Sequence, residues 1–439
     1  MDSICRRPVQ SGTRGDHVGR RQIGPSGRAA VVGVALAIAA ASCGSDDDGG
    51  GGSSSGPGSG SAGASESRGF DGTTVRVAGV GSAANFAEAD IGARARFERA
   101  NETDELDGIR IEYVEFADDA LDPAKATAEI RRLVTQEQVF AIVPNFSAMN
   151  PGEYLNEQHV PYVGPGYDDT YCTTEPSESI YGFGVNGCIV PSDPPKLPDY
   201  YNALYSYVSE KTGEDEPSIA LFGGDSQTSS DAVQHAAVSA VGAGFDVVYS
   251  EGVVPATTSD YSPYVQDWLS TDDGDEPDAM DCLLAVQCLD IWAAVEAAGY
   301  EGTFETPLYS DLLIEPLAGT VTRASFNPAP NDGLTQMQED LEAVEPGTVV
   351  STTNVLAYFA ADMFIQALAK VGADVTPESV QEALANQTWG IEGFVGPTEY
   401  PASKVVATPV CLTLLENDGT EWSVVVPFEC SETTFPVAD

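Results

Sequence analysis

The chain reads as an α/β protein of two lobes, each a parallel β-sheet sandwiched between helices on both faces. Three observations predict it. Strand-like and helix-like segments alternate, as repeated β-α-β units do. Val139-Phe140-Ala141-Ile142-Val143 is a near-continuous apolar run, the pattern of a strand covered on both faces. The alternation then restarts after a proline-rich break at Pro191-Ser192-Asp193-Pro194-Pro195.

In the first series, Val75–Val80 reads as a strand and Ala84–Ala100 carries apolar residues at helical spacing. Ile109–Phe116 reads as a strand, Pro123–Gln138 as a helix, Met149–Gln158 as a short helix and Val160–Val163 as a strand. In the second, Leu197–Lys211 reads as a helix, Ser218–Phe222 as a strand, Ser229–Val241 as a helix and Phe245–Val254 as a strand. Tyr264–Ser270 follows as a helix, Asp281–Val286 as a strand and Leu289–Ala298 as a helix. Thr353–Val371 predicts a long helix, Pro377–Asn386 another behind an N-cap at Thr376, and Trp389–Phe428 is strand-like. The expected organisation is a leader over 1–42, a tether over 43–72, a first lobe over 73–195 and 325–390, and a second over 196–324 and 391–439.

The leader holds six arginines against two acids and ends in the apolar run Ala29–Ser42, too short to span a bilayer comfortably. Cys43 follows it. This segment resembles a bacterial lipoprotein signal with the lipobox Ala40-Ala41-Ser42-Cys43, although that family usually has Leu at the first position. The resemblance implies cleavage before Cys43, lipidation of its thiol, and anchoring to the outer face of the cell membrane. An ordinary signal peptide with an incidental cysteine is the alternative, and Arg20-Arg21 raises a twin-arginine route beside the general one. Ser45–Ser67 is mostly Gly, Ser and Asp, a flexible tether with almost nothing to bury.

The net charge of −48 excludes nucleic acid as a partner, since no basic stripe exists to neutralise phosphates. The acids are spread along the chain, which suits a solvated surface. Asp272-Asp273-Gly274-Asp275-Glu276 lacks an EF-hand register. Beyond Cys5 and Cys43, the cysteines are Cys172, Cys188, Cys282, Cys288, Cys411 and Cys430, an even number that reads as disulfides in an exported chain. Of fifteen connectivities, the sequence-local pairing is preferred. Zinc is disfavoured because no Cys-x-x-Cys occurs and His159 and His235 are isolated, so no metal is expected.

No cofactor and no catalytic constellation are expected either. Gly79-Val80-Gly81-Ser82-Ala83-Ala84 imitates a dinucleotide fingerprint, but the acid at the next strand end, Glu115, lies about 35 residues on instead of about 20. The glycines are expected to let a ligand or a neighbouring backbone approach. Gly224-Asp225-Ser226-Gln227-Thr228 lacks the second glycine of a nucleophile elbow. Polar loops at strand carboxyl ends, where open α/β sheets bind ligands, are Asn145–Ala148, Gly164–Tyr167, Asp225–Thr228, Gln287 and Asp311.

The order of segments resembles type I periplasmic binding proteins, in particular the branched-chain amino acid receptors of ABC importers, from about Thr74 to Glu416. It is carried by Phe140–Asn145 with Val160–Val163, by Ala294–Tyr300, by Tyr358–Leu368 and by Glu392–Pro397. The resemblance implies a non-enzymatic receptor that encloses a small ligand (amino acid, amide or small carboxylate) between its lobes and presents it to a permease. In it, Ser147 and Ala148 would hold a ligand carboxylate, Gly166 and Tyr167 would add contacts, and Asp225, Gln287 and Asp311 would hold an ammonium. The family's polar loop often reads Ser/Thr-Ser/Thr where this chain has Asn145-Phe146-Ser147. The alternatives are an extracellular sensor of the same build and, further off, an exported Rossmann-like oxidoreductase.

Overall fold

The computed structural model describes residues 67–437, apart from 193, 195 and 256. Cys43, the leader and most of the tether lie outside the described residues.

The first lobe begins with β1 (Thr74–Gly81), the short α1 (Ala83–Phe86), α2 (Glu88–Thr103), β2 (Arg110–Asp118) and α3 (Pro123–Thr135). It continues with β3 (Ala141–Asn145), α4 (Gly152–Glu157), β4 (Tyr162–Gly164) and β5 (Gly182–Gly184). These strands form one parallel sheet in the order β2-β1-β3-β4-β5. Every residue of β3, β4 and β5 is buried, as the apolar run at Val139–Val143 predicts. The α3 helix starts where Asp122 accepts the Lys125 N–H and Pro123 fills the first turn, whose missing N–H costs nothing there. The single helix expected over Ala84–Ala100 is instead two, with Ala87 as the joint. The first turn is set by Ser82 O, which accepts the Asn85 and Phe86 N–H groups.

The second series comprises β6 (Lys196–Pro198), α5 (Asn202–Thr212), β7 (Ser218–Gly224), α6 (Gln227–Ala243) and β8 (Asp246–Val254). Then come α7 (Ser262–Trp268), β9 (Ala279–Cys282), α8 (Gln287–Ala298), β10 (Thr303–Glu305) and β11 (Thr320–Ala324). The helix expected from Leu197 begins only at Asn202. Pro198 disfavours helical geometry in the residue before it and has no N–H to give. Lys196–Pro198 pairs with a strand from the far end of the chain instead. The acidic run at Asp272–Glu276 is a tight turn, with Asp273 and Gly274 both at positive φ between the bridged Asp272 and Asp275.

The chain then returns through α9 (Asp332–Val344), α10 (Thr352–Val371) and α11 (Pro377–Ala385) and the hairpin β12 (Thr388–Ile391) and β13 (Val395–Glu399). It closes with β14 (Val410–Asn417), β15 (Trp422–Ser431) and β16 (Thr434–Pro436). The α10 helix is buried almost all round and packs on α2, β3 and β4, with a capping box between Ser351 and Asn354. Thr376 caps α11 as expected, accepting the Ser379 N–H. The second sheet runs β15-β14-β11-β10-β9-β7-β8, its parallel core extended at one edge by the antiparallel pair β14–β15.

Disulfides join Cys172 to Cys188, Cys282 to Cys288 and Cys411 to Cys430, the last pair directly opposite each other across β14 and β15. Residues 391–407, grouped by sequence with the second lobe, pack on the first. Trp389, Phe394 and Tyr400 share a core with α10, and the Tyr400 hydroxyl donates to Gly184 O at 2.8 Å. The last of three crossings between lobes therefore falls just before β14. Among the described residues, no helix is long and apolar enough to cross a membrane.

Candidate functional site

The seven ligand-binding residues expected from sequence all lie beyond strand carboxyl ends, five of them in loops, Gln287 at the start of α8 and Asp311 in a short 3-10 turn. After β3, the Asn145 side chain shapes the turn. Its Oδ1 accepts the Ser147 N–H at 3.2 Å, and Ser147 Oγ accepts the Met149 N–H at 3.3 Å. Ser147 thus keeps its hydroxyl proton for a ligand but has already used its N–H. The Ala148 N–H has no protein acceptor among the described residues. Asn145 Nδ2 is buried without a partner.

Gly166 sits at φ +92°, and a Cβ there would also come within 2.9 Å of Gly187 O, so the turn after β4 requires glycine. Tyr167 is half-buried, and its ring meets Phe86 at 5.9 Å and Phe146 at 6.0 Å, while Phe86 and Phe146 lie 5.1 Å apart. Burial pushes the Tyr167 phenol up from its ordinary value. These three rings join the ends of β1, β3 and β4. Phe86 was absent from the sequence reading because its spacing assigned it to a helix face; its place after a Gly-x-Gly strand end was the usable signal.

In the second lobe, Asp225 after β7 and Asp311 after β10 are exposed. Gln287 opens α8, and its Oε1 is buried without a partner. The Cys282–Cys288 bridge closes the loop before it. No hydrogen bond joins the first-lobe candidates to the second-lobe ones among the described residues. What does join the lobes here is Thr352 at the start of α10: its N–H donates to Tyr309 O at 2.9 Å, and its hydroxyl accepts the Tyr309 N–H at 3.2 Å and donates to Pro307 O at 3.3 Å. Tyr309, also missed by sequence, packs edge-on to Phe326 at 5.7 Å.

The space over Gly79 and Gly81 is filled by the chain itself, and the Phe146 backbone comes within 3.3 Å of where a Cβ on Gly81 would sit. A Cβ at Gly79 would meet Phe116 and the Tyr113 hydroxyl at 2.6 Å, and one at Gly81 would meet Phe146 Cβ at 2.8 Å. Gly79 makes room for side chains, and Gly81 for the Phe146 backbone as well. Among the described residues no cluster of three or more His, Cys, Asp or Glu could hold a metal ion.

Residues 72–419 match the family model described as periplasmic binding protein. The chain belongs to that family. Solved structures share its fold at low identity. A branched-chain amino acid ABC transporter protein from Thermus thermophilus with bound valine is 16% identical, covering 82% of this chain and 96% of that one with a TM-score of 0.64. The solute-binding protein of an ABC transporter from R. palustris in complex with benzoate is 15% identical, covering 82% and 98%, TM-score 0.64. A fatty acid ABC transporter substrate-binding protein from Thermomonospora curvata is 16% identical, covering 84% and 95%, TM-score 0.64. No curated protein matches the chain. The family consists of extracytoplasmic binding proteins, and this member is accordingly a binding protein and not an enzyme.

Proposed function

We propose that the protein is a lipid-anchored extracytoplasmic receptor that captures an amino-acid-like ligand between its lobes and delivers it to the permease of an ABC importer. The observation that carries the ligand class is a complementary pair of unpartnered groups. The first lobe offers donors at Ser147 Oγ, the Ala148 N–H and Asn145 Nδ2, and the second offers the acceptor Gln287 Oε1 with the exposed carboxylates Asp225 and Asp311. A carboxylate at one end and an ammonium at the other match that polarity, and Phe86, Phe146 and Tyr167 supply an aromatic surface for the body between. Relatives of this fold take valine, benzoate or a fatty acid, so the carboxylate is the constant and the body varies.

Ligand contacts from both lobes would favour the closed arrangement, and closure is limited by the difference in affinity between closed and open states. The test is a thermal-shift panel of amino acids, their amides and simple carboxylates on the purified chain. A zwitterionic amino acid should raise the melting temperature most. Stabilisation by the carboxylate alone would remove the ammonium role of the second lobe, and silence across the panel would reject the ligand class. Anchoring is checked by mass spectrometry of the membrane-bound form, where Cys43 should carry the acyl groups and Cys43→Ala should release the protein.

A further inference from the structure

A cavity of about 340 Å³ lies at the hinge, and none of the seven residues expected to bind the cleft ligand lines it. All three crossings between the lobes contribute to its wall, through Val185 and Ile189, through Ser325, and through Pro409. Most of the lining is apolar. Three of its residues, Tyr200, His235 and Glu305, nevertheless carry a buried polar atom without a partner: Tyr200 Oη, His235 Nδ1 and Glu305 Oε2. Beside them Arg323 is held by two carboxylates, donating to Asp281 Oδ2 at 2.7 Å and to Glu305 Oε1.

We propose that this hinge cavity binds a small alkylammonium ion, its head at Glu305 Oε2 and its alkyl chain along Val185, Ile189 and Leu412. Two ionised carboxylates against one guanidinium would leave one negative charge in excess in a place removed from water, so Glu305 must hold a monocation, either a proton or an ammonium. An ammonium only donates, and each of the three orphaned atoms is of a kind that can accept. Tyr200 Oη does so through its lone pairs. His235 does so as a neutral ring, which burial favours by lowering its pKa against the raising effect of Asp231.

Without a cation, burial pushes the Glu305 carboxyl up to about 8, with Asp281 adding to the rise and Arg323 opposing it. The charged and titratable groups that act on it are Asp281 from β9, Arg323 from β11 and Tyr201 just before α5, while Tyr200 and His235 line the same cavity. Near neutral pH it therefore holds a proton. Entry of R–NH3+ expels that proton to solvent, and the net charge of the cavity is unchanged. Cation binding and proton release are one exchange.

This site is independent of what the cleft binds. The test is isothermal titration of the purified chain with n-pentylamine, 1-pentanol and pentanoate. The amine should bind, the alcohol at least about tenfold more weakly, and the acid not at all. Repeating the titration in buffers of different ionisation enthalpy should show about one proton released per amine at pH 7. Affinity should rise about tenfold from pH 6 to pH 7 as the carboxyl loses its proton more readily. Glu305→Gln should cost at least tenfold in amine affinity and abolish the proton release. Ala236→Leu fills the cavity without touching a charge and should abolish binding even if Glu305→Gln does not fold. Equal binding of alcohol and amine, binding without proton release, binding that survives Ala236→Leu, or no binding of the amine would each overturn the proposal.

Discussion

Each lobe buries one arginine between two carboxylates, and the two arrangements are finished differently. In the first lobe Arg96 donates to Asp362 Oδ1 at 2.8 Å and to both oxygens of Glu105 at 3.1 and 2.6 Å. The other Asp362 oxygen accepts Gln366 Nε2 at 2.7 Å and Trp389 Nε1 at 3.0 Å. Every carboxylate oxygen has a donor. In the second lobe Asp281 Oδ2 accepts from both Arg323 and Tyr201, but Glu305 Oε2 has none. The guanidinium stacks over the Tyr201 ring at 4.1 Å, which satisfies its face but not that oxygen. The consequence is electrostatic. Arg96 holds Glu105 below its ordinary value in spite of burial, whereas burial raises Glu305 in spite of Arg323. A buried ion cluster contributes to stability only when its last lone pairs are filled.

The largest expected effect comes from removing each arginine. Arg96→Met leaves Asp362 and Glu105 facing each other with fewer donors, and should cost about 3–5 kcal/mol of unfolding free energy in urea titration at pH 7. Arg323→Met should cost less, because Glu305 already takes a proton and is neutral without its partner. Equal losses would mean that the two clusters are alike in charge and that the missing donor at Glu305 has no consequence.

The difference also has a pH signature of opposite sign. Glu305 is raised in the folded state, so its contribution is complete below the ordinary carboxylate range, near pH 4.5, and is lost as pH rises toward about 8. Glu105 is lowered, so its contribution is present above that range and is lost as pH falls through its folded value. Glu305→Gln should flatten the fall in melting temperature between about pH 4.5 and 8, and Glu105→Gln should flatten the acid limb instead. Matching profiles for the two variants would break the comparison.

Neither cluster was legible in the sequence, and the reason is distance along the chain. Asp281, Glu305 and Arg323 sit on three neighbouring strands whose order in the sheet no local pattern reveals. Arg96 meets Asp362 only because α10 returns to pack on α2. Local signals did carry the elements themselves: the apolar run Val139–Val143, the long helix ending at Val371 and the cap at Thr376 are each decided by neighbours in sequence. The same divide runs through the binding site. The loops at Ser147 and Tyr167 follow from strand ends, whereas Phe86 and Tyr309 enter it through packing across elements. The short strand Lys196–Pro198 fails for the same reason, since its partner Thr434–Pro436 comes from the other end of the chain.

The smallest effect separates the lobes by function. Ser147 keeps one hydroxyl proton for a ligand carboxylate, so Ser147→Ala should remove one hydrogen bond of about 1–2 kcal/mol, a five- to thirtyfold loss of affinity for the panel's best amino acid. The fold should be little affected, because the hydroxyl's one internal contact is the acceptance of the Met149 N–H. Gln287→Leu removes the orphaned second-lobe acceptor, and its effect depends on the lobes having closed around the ligand. It should therefore act mainly on the dissociation rate, while Ser147→Ala, in the lobe that meets the carboxylate first, should also slow association. Stopped-flow measurement of both rates distinguishes the two. An identical split for both variants would show that the ligand engages the lobes together, with no order between them.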